Sequence, residues 1–280
     1  MDHLEECLRS IRGQTYKNLE IIVVDNYSTD RTKEIAVLHA DFVYDKGPER
    51  CAQLNHGIGK ASGKYIYYTG SDLKSDPELV AQAVRKCEED GFDAVYLNVL
   101  DEIDNPNIWQ KVRALEKRCY FKEPGMSAAR FYKKEVFLEL GGMDEGISCI
   151  SDDLEFQQRL NRANYQTAFI DAAERALNEY DSLKIIMTRG LYYGWFIKRY
   201  REKYPENAKQ QYKLVRQEFV NHLDILTEDK ALFLAFSFYK AVQYFCGGLG
   251  VLLARLTRNN SSIERLLFQM NYGRRHSQEK

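Results

Sequence analysis

The sequence is poor in the features that usually declare a function outright. Its six cysteines, Cys7, Cys51, Cys87, Cys119, Cys149 and Cys246, show no CxxC spacing, which excludes a zinc ribbon and gives no disulfide framework. Buried, reduced thiols in a cytosolic compartment are the expectation. Neither charge sign dominates: 40 Lys and Arg stand against 41 Asp and Glu, a net charge of -1, so no global attraction to nucleic acid is expected. The start, MDHLEECLRS, lacks the basic end and apolar core of an export signal. A Gly-rich phosphate loop is also missing near the start, which argues against a nucleotidyltransferase.

What is present reads as an α/β chain. Up to about residue 182, short apolar runs alternate with amphipathic stretches, the pattern of repeated βα units around a mostly parallel central sheet. Residues 19–24 form a run rich in β-branched residues that ends at Asp25, as a buried strand does. Residues 65–69 and 94–99 look alike, and between them Leu79, Val80, Ala83, Val84 and Cys87 recur at helical spacing after Asp76-Pro77. Ligands in such sheets bind beyond the carboxyl ends of strands, so the loops after Val24 and Thr69 are where chemistry is expected.

Beyond residue 183 the composition shifts to mixed bases and aromatics, then to residues 231–254, whose one formal charge is Lys240. The length allows a membrane span. Lys240, Gln243 and Gly247-Gly248 argue against a simple one, leaving an interfacial or re-entrant element or a buried helical hairpin. The expected organisation is a catalytic domain over 1–182, a helical and potentially membrane-contacting region over 183–256, and a polar tail over 257–280.

Four clusters carry chemistry. Asp25-Asn26 at a strand end can meet a base or a ribose hydroxyl, although Ser28 or Asp30 in the same loop could equally be capping the next helix. Arg50, near a helix start, has the planar fork that fits a diphosphate, or it is a solvated arginine. Ser71-Asp72 follows the strand ending at Thr69, where a carboxylate could hold a cation bridging nucleotide phosphates, or cap a helix. Asp152-Asp153 opens a helix, where a carboxylate either complements the dipole or takes the proton of an attacking hydroxyl.

In this order the pieces resemble glycosyltransferase family 2. LEECLRSIRGQTYKNLEIIVVDNYSTDRT (4–32) looks like the family's opening helix and second strand, and GPERCAQLNHGIGKASGKYIYYTGSDL (47–73) like its arginine helix and third strand. GGMDE (141–145) followed by SDDLEFQQRL (151–160) resembles its acceptor-base region. The resemblance covers about residues 2–182. It implies the GT-A type nucleotide-binding sandwich and an inverting, non-processive transfer of one sugar from a UDP- or GDP-linked donor to a lipid-linked or envelope glycan acceptor. No organic cofactor is implied, and the place of work would be the inner face of the membrane.

By the same resemblance Asp25 and Asn26 read the base, and Arg50, Ser71, Asp72 and Lys74 lie at the diphosphate. Arg130 helps hold acceptor or phosphate, Asp153 is the general base, and Asp152 orients it or the acceptor. The sequence departs from the family in four ways. The family's first strand does not precede the opening helix, so a truncated chain or misplaced start is expected. Gly70 stands where the first carboxylate of the DxD signature belongs, so the Mg or Mn site at Asp72 should be weakened, with the Lys74 ammonium taking over part of its work. Asn178-Glu179 stands where many members carry a metal-side His, and no QxxRW motif is present. The rival expectation is a non-catalytic domain that binds nucleotide-sugar or glycan and acts through a partner.

Overall fold

The computed structural model describes residues 2–47, 49–123, 127–147, 152–177, 182–211 and 216–257, with a few positions further on. Asn178 and Glu179 lie outside the described residues, as does most of the expected polar tail. In chain order the elements are α1 (Asp2–Arg12), β1 (Ile22–Asp25), α2 (Thr32–His39), β2 (Phe42–Asp45), α3 (Arg50–Lys60), β3 (Tyr65–Tyr67), β4 (Leu73–Ser75) and α4 (Leu79–Glu88). Next come β5 (Ala94–Asp101), α5 (Ile108–Tyr120), β6 (Ala128–Lys133), α6 (Lys134–Glu139), α7 (Asp152–Arg162) and β7 (Thr167–Ala176). The C-terminal helices are α8 (Leu183–Lys203), α9 (Pro205–Gln211), α10 (Gln217–Asn221), α11 (Leu223–Thr227) and α12 (Lys230–Leu256).

Two compact units result, one of residues 1–103 and 120–178, the other of 104–119 and 179–280. Helix α5 therefore belongs to the second unit, although it lies inside the range the sequence reading gave to the first. The reason is long-range: Glu116 of α5 pairs with Lys240 of α12 and accepts from the Tyr239 hydroxyl at 3.2 Å. Sequence spacing carries no trace of such a contact.

In the first unit the sheet is sandwiched by helices. Five strands run in the order β3-β6-β5-β7-β4, while β1 and β2 pair in parallel as a separate ribbon, Ile22 opposite Phe42. Within the five, only β5 and β7 are parallel; β6 lies antiparallel to β3 and β5, and β4 antiparallel to β7. The α/β class is as expected, but the sheet is mixed rather than mostly parallel. A strand buried on both faces is apolar whichever way it runs, so composition marked the strands without giving their direction.

Alternation along β5 builds both layers. Ala94 and Tyr96 pack with Ile58 of α3, Phe137 of α6, and Phe156 and Leu160 of α7. Val95 and Leu97 face Leu79, Val80 and Ala83 of α4. Phe156 sits 5.1 Å from the rings of both Tyr132 and Phe137, and it is fully buried. Burying a side chain of that size stabilises by roughly 2–3 kcal/mol, which fixes the rotation of α7 and so the direction of the two aspartates at its start.

The second unit is built on α8 against α12, and glycine sets how closely they approach. A Cβ on Gly194 would lie 2.0 Å from the Gly247 carbonyl oxygen, and one on Gly250 2.3 Å from that of Leu191. The Gly247-Gly248 pair that counts against a simple span in the sequence is thus where two backbones meet. Lys240, the one charge in that run, is turned inward to Glu116, with the rings of Phe219, Phe236, Tyr239 and Tyr244 within 5.9 Å. Burial lowers its proton affinity, opposed by the nearby Glu116 carboxylate. Among the described residues no helix is long and apolar enough to cross a membrane. Gly250→Ala is expected to lower the unfolding free energy by about 3 kcal/mol through overpacking. Gly248→Ala, where an added Cβ meets nothing within 4 Å, should be neutral or slightly stabilising. Denaturant titration of the two variants checks the contrast.

Candidate active site

Helix α3 assembles the site because three of its residues reach three different parts of the first unit. Gln53 donates to the Val24 carbonyl at 3.2 Å, which fastens the helix start to the end of β1. Asn55 donates to the Met143 carbonyl and accepts from the Met143 N–H, clamping the turn that leads toward α7. That turn needs Gly141 and Gly142, whose φ values of 80° and 74° are left-handed. Arg50, in the first turn of the same helix, reaches the two aspartates at the start of α7.

Its guanidinium donates to Asp152 Oδ2 at 2.8 Å and to Asp153 Oδ1 at 3.3 Å. The Tyr68 hydroxyl adds a 2.6 Å bond to Asp153 Oδ1, and Arg50 lies over the Tyr68 ring at 5.6 Å. The two carboxylates differ in setting: the Asp152 side chain is 4% exposed and that of Asp153 27%. Burial raises the pKa of Asp152, with Arg50 opposing and Asp153 adding to the rise. Burial would raise Asp153 too, but Arg50, Arg130 and the Tyr68 hydroxyl outweigh it and hold that carboxyl below the usual range. Asp153 is therefore an ionised, partly open carboxylate at the positive end of a helix.

A second layer supports the first. Arg130 is buried and paired with Glu174, which also accepts from Thr69 Oγ1 at 2.6 Å and from the Tyr67 hydroxyl at 2.7 Å. The buried Cys7 thiol is pushed up to about 12 by burial first, then by the charges of Glu174 and Asp72, which places Asp72 beside the same network. The Cys7 thiol also donates to the Gly70 carbonyl. Asp153 and Glu174, from separate stretches, thus meet the end of β3 through Tyr68 and Thr69, and Asp72 lies in the loop that follows.

Other predicted residues are placed differently. Asp25 is buried, with its two oxygens taken by the Ser28 N–H and hydroxyl at 2.7 and 2.6 Å, so it closes its own loop. Asn26 lies against Gly47, where a Cβ would stand 1.9 Å from its Oδ1. Lys74 does not turn toward the Asp72 network: it pairs with Glu102 at 2.6 Å and Glu6 at 3.4 Å, while its neighbour Ser75 faces Tyr67. Adjacent strand residues point to opposite faces, which explains the split. Arg130, expected at acceptor or phosphate, is instead committed to Glu174. Ser71 is exposed and Asp72 half-buried.

Residues the sequence reading passed over include Tyr68 and Glu174. Glu174 left little signal, being one of three charged residues in β7 with Asp171 and Arg175, and only its burial shows that it requires a partner. Tyr68 left none, since its side chain faces Asp153 only through tertiary packing. Gly70 offers no ligand, and an added Cβ there would crowd Asp72 Oδ1 at 2.9 Å. Among the described residues no three His, Cys, Asp or Glu side chains form a metal-binding group.

An α/β sandwich with carboxylates collected at one strand-end edge is the architecture of a GT-A glycosyltransferase. The sequence model described as "Glycosyl transferase family 2" matches residues 2–143, and the chain belongs to that family. An uncharacterized glycosyltransferase of Rickettsia typhi is 25% identical over 147 residues, covering 50% of this chain and 41% of that protein. The glycosyltransferase GlyG of Streptococcus pneumoniae is 35% identical over 107 residues, 34% of each chain. A PGL/p-HBAD biosynthesis glycosyltransferase of Mycobacterium bovis is 30% identical over 154 residues, 49% of this chain and 57% of that one. The chain therefore spans well under two thirds of these relatives. Among solved structures, a mannosyltransferase from Pyrobaculum calidifontis in complex with GDP-Man and Mn2+ shares the fold with a TM-score of 0.59 at 16% identity, covering 92% of this chain and 84% of that one.

Proposed function

We propose that this glycosyltransferase moves one sugar, with inversion and without processivity, from a UDP- or GDP-linked donor to a hydroxyl of a lipid-linked or envelope glycan acceptor at the inner face of a membrane. The observation that carries the reading is Asp153, a partly open carboxylate at the start of α7 that accepts hydrogen bonds from Arg50 and the Tyr68 hydroxyl. In one displacement the acceptor hydroxyl gives its proton to Asp153 and its oxygen attacks the anomeric carbon. The bond from that carbon to the diphosphate breaks, and the nucleoside diphosphate leaves with the electron pair.

Asp152 and Tyr68 hold the base and Arg50 in place. The solvent-facing part of the Arg50 guanidinium and the positive end of α3 supply charge to the leaving diphosphate. Asp25, by closing its loop, presents Asn26 to the nucleotide. A divalent cation, where one takes part, would be held at Asp72 and chiefly by the diphosphate itself.

The test is a screen of nucleotide-sugars by thermal shift, followed by transfer or hydrolysis of whichever one binds, since binding raises apparent stability. Chelation is expected to cost less than about tenfold in rate, because Asp72 is a thin metal site. Lys74→Ala should stay within about twofold, as its ion pairs are exposed surface ones. Rates measured with and without EDTA for both proteins check this. Gly70 favours a second reading, a non-catalytic domain that binds nucleotide-sugar or glycan and acts through a partner. Donor binding with no turnover on any acceptor would favour it over the first.

A further inference from the structure

Helix α12 has 27 residues, about 40 Å at 1.5 Å per residue. Its inner side is occupied by α8 and by the Glu116 pairing of Lys240. On its outer side Leu234, Phe238, Phe245, Leu252 and Leu256 are each at least half exposed. At 100° per residue these five, with Leu249, fall within about 60° of arc, so they form one continuous stripe along the helix. The stripe carries no charge between Lys230 at one end and Arg255 at the other. An apolar surface of that length is not ordinary solvent-facing helix.

The charge distribution says what covers it. Residues 255–280 contain six basic residues, Arg255, Arg258, Arg265, Arg274, Arg275 and Lys280, against Glu264 and Glu279, a net charge of +4. The whole chain is at -1, which leaves -5 for residues 1–254. The positive charge is thus concentrated in the sequence that follows the apolar stripe. Pairing α12 with a second copy in parallel would bring these like charges together. An anionic lipid surface instead accepts both features, the stripe at the acyl boundary and the bases at the head groups.

We infer that the outer stripe of α12, with the basic segment after it, docks the protein flat on an anionic membrane. The inference deepens the proposal of a lipid-linked acceptor, since it brings the enzyme to the surface where such an acceptor resides. Its test needs no donor or acceptor, so it stands or falls apart from the transfer reaction.

The full chain is sedimented with vesicles of phosphatidylcholine alone, and with vesicles carrying about 30% phosphatidylglycerol. Binding is expected to the anionic vesicles, weakening several-fold at about 0.5 M NaCl. In the double variant Phe245→Ser/Leu252→Ser, affinity should fall by about tenfold or more, with an unchanged unfolding midpoint because both side chains are exposed. Three results would overturn the inference: no vesicle binding, equal binding to both vesicle types, or equal binding by the variant. A vesicle-free dimer in light scattering that the variant dissociates would assign the stripe to a second copy instead.

Discussion

Asp153→Asn is expected to cut transfer to a hydroxyl acceptor by about a thousandfold, within the range a positioned general base supplies. The amide keeps an oxygen for the Tyr68 hydroxyl at the place where Asp153 Oδ1 now accepts at 2.6 Å, so the geometry should persist. Asp152 remains for Arg50, and the lost pairing is at a partly exposed residue, so the thermal midpoint should move little. Steady-state rates alongside unfolding curves separate a chemical loss from a structural one. A variant that turns over hydroxyl acceptors at the parent rate would remove Asp153 from the mechanism. On an acceptor that is already ionised, such as a polyprenyl phosphate, the same change should cost less than about tenfold, because no proton has to be taken.

The pH profile follows from the direction of the shift. Asp153 is held below the ordinary carboxylate value, so its base form is present throughout the neutral range. Loss of activity through its protonation is expected only below about pH 4. The stability contributed by its pairing is present above the unfolded-state pKa and is lost as pH falls through the lower folded-state value. A rate that halves between about pH 7 and 6 would point to another group as the base.

Arg50→Ala should be the more damaging change to the fold. It leaves Asp152 buried without its 2.8 Å partner and sets two carboxylates side by side with less positive charge between them. Removing one member of a buried pair typically costs about 3–5 kcal/mol; here about 2 kcal/mol is expected, because the Arg50 side chain is 38% exposed and solvent screens part of the interaction. The deficit should shrink on acidification. Without Arg50 the Asp152 pKa rises further above its unfolded value, so protonation, which favours the fold, sets in as pH falls. Arg50→Lys should recover little, because an ammonium cannot bond both aspartates through a planar fork. Combining Arg50→Ala with Asp152→Asn should recover part of the loss, and a double-mutant cycle measures the coupling.

The strands at residues 22–25, 65–67 and 94–101 were legible because a buried strand must be apolar, and α4 because its apolar positions recur at helical spacing. The acid pair was legible as the opening of a helix. Strand direction was not, since apolarity is the same either way, and the antiparallel insertion of β6 between β3 and β5 turned a parallel expectation into a mixed sheet. The placement of Lys74 was missed for a related reason. The family resemblance implied a place for it at the diphosphate, but on β4 it points away from Ser75 and meets Glu102 and Glu6.

By itself the sequence determined the class of fold, the family and the place of the acid pair at a helix start, because local apolar periodicity and the order of short motifs are written along the chain. Tertiary structure alone decided the surroundings of those aspartates. Arg50, Tyr68 and Asp153 come from stretches separated by up to 103 residues, and Arg130 reaches Glu174 across the sheet. A pairing energy depends on distance and on exclusion of water, and both are properties of packing that no neighbouring residue along the chain specifies.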